Sequence, residues 1–212
     1  MYTTATYALL WTGIAASLAS ATALPASLEP RACTTIRPAN FYGISTQTKD
    51  TTQNLGPFPP DNYFDFRLSQ TGNGQSLQSE NDLVSTFTNV PCPAGRKYSV
   101  EFLFEPISDY GYNGITNIDV YAIKGSLPRD GTGKGIPTWN NLKTKTGSLI
   151  GSFAMPQGQD QVHRVYKIGQ IACSKEVNLR LSITNTGYQT GGLSYAQQYA
   201  GQDSGLRLRN GC

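Results

Sequence analysis

From residue 63 onward, apolar and polar residues alternate with a period of two, the spacing of strands that bury one face. The strongest run is 98–105, where Tyr98, Val100, Phe102 and Phe104 take every second position. It is entered through Val90-Pro91-Cys92-Pro93-Ala94-Gly95, a turn that carries a cysteine. A second run follows Cys173, with Val177, Leu179, Leu181 and Ile183 on one side. These two are expected to be core strands drawn together by a Cys92–Cys173 disulfide.

Weaker alternation predicts strands at 63–69 (Phe64, Phe66, Leu68), 82–90 and 115–124. Further strands are expected at 148–155, 163–168, 176–184, 193–199 and 205–209. Gly72-Asn73-Gly74 marks a tight turn. Residues 34–60 are polar and turn-rich, with room for one short strand near Phe41-Tyr42-Gly43-Ile44. No window keeps a helical period for three turns, so helix beyond a single turn is not expected. Residues 125–146 show no period, and so long an insertion without its own structure is commonly functional or mobile. Roughly 8–10 short strands between turn signals predict an all-β fold, an antiparallel β-sandwich of two packed sheets.

Composition points the same way. The chain has 22 Gly, 12 Pro and 12 Tyr, and only 15% of its residues are charged, which suits strands and turns better than helices. A formal charge of +3 is too small to imply a nucleic-acid or membrane partner. Residues 1–23 read as a signal peptide: a short apolar run over 7–16, then the small-x-small site Ala21-Thr22-Ala23. That run is too short, and too interrupted by Ser and Thr, to span a bilayer. Leu28-Glu29-Pro30-Arg31 reads as a processing site, making 24–31 a propeptide and 32–212 a single domain. The expected location is extracellular, at or near a cell wall.

Cys33, Cys92, Cys173 and Cys212 allow three disulfide pairings, and sequence does not choose among them. Domain termini tend to lie close together, which favours Cys33–Cys212 beside Cys92–Cys173. With no CxxC pair and a single histidine, His163, neither a metal site nor a cofactor is expected.

No catalytic constellation stands out. His163 lacks a nucleophile elbow to serve and is expected to face solvent. The acids available to a glycan hydrolase are Glu101, Glu105, Asp109 and Asp119. Glu101 and Glu105 share a strand face but stand about 13 Å apart at ~3.3 Å per residue. That exceeds the ~5–9.5 Å that glycosidase pairs use, so a hydrolase needs a cross-strand partner such as Asp119. The loop residues Tyr110, Tyr112 and Asn113, with Trp139 and Asn140, form a better candidate. Planar rings stack on sugar faces while amides bond hydroxyls, so a polysaccharide or cell-wall ligand is the expected partner. The competing expectation buries these aromatics as plugs and anchors. Residues 124–145 carry Lys124, Arg129, Lys134, Lys143 and Lys145 against Asp130 alone, a basic patch that Arg207 and Arg209 extend if the last strand lies nearby. A third expectation is a secreted effector or structural protein with a protein partner.

The order of motifs resembles one known family. Cys92-Pro93-Ala94-Gly95, Ile118-Asp119-Val120-Tyr121, Thr138-Trp139-Asn140, Cys173, Leu193-Ser194-Tyr195 and Gly205-Leu206 follow one another as in the C-terminal domain of the fungal ubiquitin 3 binding protein family, the But-two type. The likeness covers roughly 61–212, and none of the motifs is specific alone. It implies a β-sandwich from a fungal source and supplies no catalytic residues. The family name implies a cytosolic partner in ubiquitin-like activation, which a signal segment and four cysteines argue against here.

Overall fold

The computed structural model describes residues 33–60, 62–93, 95–106, 110–128, 136–157, 162–197 and 203–210. The chain divides into two units, Met1–Arg31 and Ala32–Cys212. The signal and propeptide expectations fall on the first, outside the described residues. Among the described residues, the regular structure of the second unit is all strand except for one helical turn.

Its first strands are β1 (Thr34–Ile36), β2 (Asn40–Ser45), β3 (Gln53–Asn54), β4 (Phe64–Gly72), β5 (Leu77–Phe87) and β6 (Lys97–Phe104). Then come β7 (Gly111–Gly114), β8 (Asn117–Ile123), the helical turn α1 (Trp139–Leu142) and β9 (Thr146–Ala154). The chain closes with β10 (Arg164–Ala172), β11 (Val177–Ile183), β12 (Gly191–Gln197) and β13 (Gly205–Asn210). One sheet has the order β1-β13-β6-β10. The larger runs β7-β12-β4-β5-β11-β8-β9, with β2 also on β5 and β3 on β2. Every strand pair is antiparallel.

The alternating residues of both sheets meet in one apolar cluster. Tyr98, Val100, Phe102 and Phe104 of β6 join Leu206 and Leu208 of β13 from the small sheet. Phe66, Leu68, Leu83, Val120, Leu179, Leu181 and Tyr195 come from the large one. Phe102 is the hub, with ring centroids 5.1 Å from Phe66, 5.2 Å from Phe153 and 5.6 Å from Tyr195. At one side β9 and β10 approach so closely that a Cβ on Gly151 would stand 1.9 Å from the Ile168 carbonyl oxygen. Only glycine permits that contact. A bulge between Lys167 and Gly169 lets Ile168 turn into the core.

The Cys92–Cys173 disulfide is present, with Cα atoms 5.4 Å apart. It does not join paired strands, because β6 and β11 lie in different sheets. It pins two crossovers instead, the one from β5 to β6 and the one from β10 to β11. Backbone bonds from Val90 N to Lys175 O (3.1 Å) and from Cys173 N to Arg96 O (3.3 Å) hold the same end. The bridge spans 81 residues of chain, so closing it removes much unfolded-state freedom. Replacing both cysteines by Ser is expected to lower the unfolding free energy by about 2–4 kcal/mol, measured by urea titration without reductant. A change near zero would contradict this role. Cys33 is disulfide-bonded as well, while its expected partner Cys212 lies outside the described residues. Antiparallel pairing of Thr34 with Asn210 puts the first strand beside the last at one edge of the small sheet.

Three strands differ from the sequence reading. β1, β3 and β7 are short and show no alternation, and each exists because a longer neighbour supplies its hydrogen-bond partners. The insertion at 125–146 is not wholly irregular. Thr138 Oγ1 accepts from Asn141 N (3.3 Å) and Asn141 Oδ1 accepts from Thr138 N (2.8 Å), a reciprocal cap that starts α1.

Candidate functional site

The outward face of β4, β12 and β7 forms an open groove of about 510 Å3. Its register sets Ser194 beside both Arg67 and Gly111, and Gly192 beside both Ser69 and Asn113. Gly111, Gly191 and Gly192 raise no side chains from the floor, so the groove is a shallow trough walled by Arg67, Ser69, Thr71, Asn113 and Ser194. Gly192 cannot readily be replaced: a Cβ there would stand 3.2 Å from the Leu68 carbonyl oxygen. Ser69 Oγ accepts from Asn81 Nδ2 at 2.8 Å, and Arg67 pairs with Asp65 at 2.7 Å, so two of the walls are held in place. Donors and acceptors beside the edge of Tyr112 suit hydroxyl-rich ligands.

The five expected binding residues do not come together. Tyr110 is buried at 9% exposure, its ring 5.2 Å from Phe104, and its hydroxyl donates to Pro156 O at 2.6 Å. It plugs the core. Burial first, then the neighbouring Tyr166 and Tyr112, hold its phenol well above the ordinary tyrosine range. Tyr112 lies at the sheet edge, 41% exposed, its ring 5.6 Å from that of Tyr110. Alternation sends Asn113 to the other side of β7, into the groove. Of the group, Tyr112 and Asn113 line the groove, and the ring of Tyr112 leans toward the core.

Trp139 and Asn140 serve elsewhere. They sit on α1, which covers the outward face of β2, β5, β11 and β8 together with Leu127 and Leu142. Asn140 Nδ2 donates to Asp50 Oδ1 at 2.7 Å, and Asn140 N to Lys49 O at 3.2 Å. Thr52 Oγ1 donates to Pro137 O as well. The Arg180 guanidinium lies 4.6 Å from the centre of the Trp139 ring and pairs on its other side with Asp82, at 2.6 Å. Asp82 is 2% exposed, and burial pushes its carboxyl up to about 7 against the opposing pull of Arg180. Trp139 is therefore the anchor of the insertion and not a free binding surface.

The acids are dispersed. Glu101 lies on the small sheet facing away from the core, 4% exposed, and accepts from Arg207 Nη2 at 3.2 Å. Glu105 pairs with His163 Nδ1 at 2.7 Å. Asp119 faces away from the core on the other sheet, where it accepts from Ser152 (2.5 Å), Thr184 (2.8 Å) and Tyr121 (3.3 Å). The Asp119 that would complete a cross-strand pair thus points away from both glutamates, and Asp109 falls outside the described residues. His163, with a side chain 63% exposed, faces solvent as expected. No group of three or more His, Cys, Asp or Glu suited to a metal occurs among the described residues. No helix among them is long and apolar enough to cross a membrane.

The basic residues also divide. Lys124, Lys143 and Lys145 belong to the segment over the large sheet, while Arg129 and Lys134 lie outside the described residues. Arg207 and Arg209 are on β13 of the small sheet, so they do not extend that patch. Sequence reasoning missed the groove because its walls come from three strands that are adjacent only in the sheet. A Gly191-Gly192 pair inside a strand, where glycine usually marks close backbone approach, was the one local sign. In comparison with known proteins, no family model and no curated protein matches this chain.

Proposed function

We propose that this is a secreted, non-catalytic β-sandwich protein that binds a neutral polysaccharide of a cell wall or surface through the β4–β12–β7 groove. The observation that carries the reading is the trough itself, floored by Gly111, Gly191 and Gly192 and walled by Arg67, Ser69, Asn113 and Ser194. An open channel with regularly placed amide, hydroxyl and guanidinium groups can follow an extended sugar chain. Cys92–Cys173 supports folding in an oxidising compartment, and a Cys33–Cys212 bridge completes the crosslinking. The motif order and the strand content support a secreted relative of the fungal But-two type domain. The separation of Glu101, Glu105 and Asp119 weighs against the hydrolase reading.

Retention of the protein on chitin, β-glucan and cellulose tests the reading. Binding to at least one is expected, with Ser194→Tyr abolishing it by filling the trough. Asn113→Ala should weaken it about fivefold, the loss of one hydrogen bond of ~1 kcal/mol. No retention on any of the three, or retention that Ser194→Tyr leaves unchanged, overturns it.

A further inference from the structure

The face of the small sheet turned away from the core carries a charge pattern that the groove does not use. Strand register sets Lys167 and Arg207 on either side of Glu101, and Gln170 and Arg209 on either side of Ser99. Lys97 and Arg96 continue the array, and all of these except the buried Arg207 line a depression of about 740 Å3 bordered by Asn210 and Val165. Four cations, Arg96, Lys97, Lys167 and Arg209, thus line it with one carboxylate, whereas the whole chain carries only +3; Arg207 lies buried beneath them and is also 3.6 Å from Asp203.

That carboxylate is already committed. Glu101 Oε2 takes Arg207 Nη2 at 3.2 Å and lies 3.7 Å from Arg209 Nη1, while its Oε1 accepts from Ser99 Oγ at 3.3 Å. Glu101 therefore fixes two guanidinium groups in the floor without neutralising the face. Lys167 stands opposite Glu101 in register yet forms no ion pair with it, and Lys97 has none among the described residues. Both lysines are exposed. Arg209 Nε is buried and has no acceptor among the described residues, while the side chain as a whole is 27% exposed and lines the depression.

We propose that this depression is a second binding site, for an acidic polysaccharide bearing carboxylate or sulfate groups. Anionic oxygens would pair with Lys97, Lys167 and Arg209, the guanidinium offering them its planar fork of donors. Val165, at 39% exposure, is the one large apolar side chain in the lining, too little to insert into a lipid surface. Among the described residues no aromatic ring lines the depression to stack on nucleobases. The site stands independently of the groove, which lies on the other sheet.

The full chain should bind polygalacturonate or dextran sulfate at low salt, more weakly as salt rises, and should not bind neutral dextran. Preference for the first probe assigns carboxylates, and preference for the second assigns sulfates. Lys97→Glu with Lys167→Glu is expected to weaken binding about tenfold or more, and the double Gln variant by less. Lys124→Glu with Lys143→Glu, over the other sheet, should leave it unchanged. Binding to neither polyanion, an equal loss from the Lys124 and Lys143 changes, or capture by phosphatidylserine vesicles in place of the polysaccharides would overturn the assignment.

Discussion

Phe102→Ala is expected to lower the unfolding free energy by about 3–5 kcal/mol, among the largest effects of any single truncation in this chain. The ring is fully buried and touches Phe66 and Tyr195 of the large sheet and Phe153 of β9. Its removal leaves a void in the middle of the cluster that both sheets share, and close-packed neighbours on two rigid sheets relax into it only in part. A fall in Tm of roughly 10 °C should accompany the loss, read by thermal scan. Val165→Ala, at an exposed site, serves as the comparison and should cost no more than ~0.5 kcal/mol. A Phe102→Ala cost below ~1 kcal/mol would mean that the sheets do not share one core.

The second large effect is expected at Arg180→Ala. Arg180 donates from Nε to Asp82 Oδ2 at 2.7 Å and from Nη1 to Thr146 Oγ1 at 3.1 Å, and its guanidinium lies against Trp139. Removing it strands a carboxylate that is 2% exposed and loosens the anchor of α1. Breaking a buried pair from one side costs about 3–5 kcal/mol. The loss should be largest at pH 8 and smaller at pH 5, where Asp82 escapes the penalty by taking up a proton. The same group gives the unaltered protein a pH dependence. Its carboxyl is raised from 3.8 to about 7 in the folded state, chiefly by burial. The folded protein therefore holds a proton there that the unfolded chain releases. That contribution to stability is whole below about pH 4 and is lost as pH rises through about 7. Asp82→Asn should flatten the profile across this window. An unchanged slope in Asp82→Asn would assign the dependence to other groups.

The core strands were legible from the chain because burial on one face imposes a period of two on the residues themselves. Tyr98 to Phe104 and Val177 to Ile183 announce β6 and β11 without any knowledge of their neighbours. The disulfide between Cys92 and Cys173 was one of three pairings that the chain allowed, favoured by where each cysteine stands ahead of a core strand, and the structure decided it. β7 was not legible, because Gly111-Tyr112-Asn113-Gly114 carries no period and gains its hydrogen bonds only from β12. Trp139 was ambiguous for the opposite reason. An aromatic beside two asparagines suits a sugar surface and a capped helical turn equally well, and only Asp50, Lys49 and Arg180, distant in sequence, decide between them.

Local pattern alone determined that this protein is built of strands and which residues of the core strands turn inward. Those properties arise from interactions between near neighbours and from the exclusion of apolar side chains from water. Only the tertiary structure decided which strands share a sheet. It thereby gathered Arg67, Asn113 and Ser194 into a trough, buried Tyr110, and set Lys97, Lys167 and Arg209 together on the other sheet. A strand's outward residues gain their chemical meaning from the strands beside it, and antiparallel pairing across long sequence distances leaves no periodic mark on the chain.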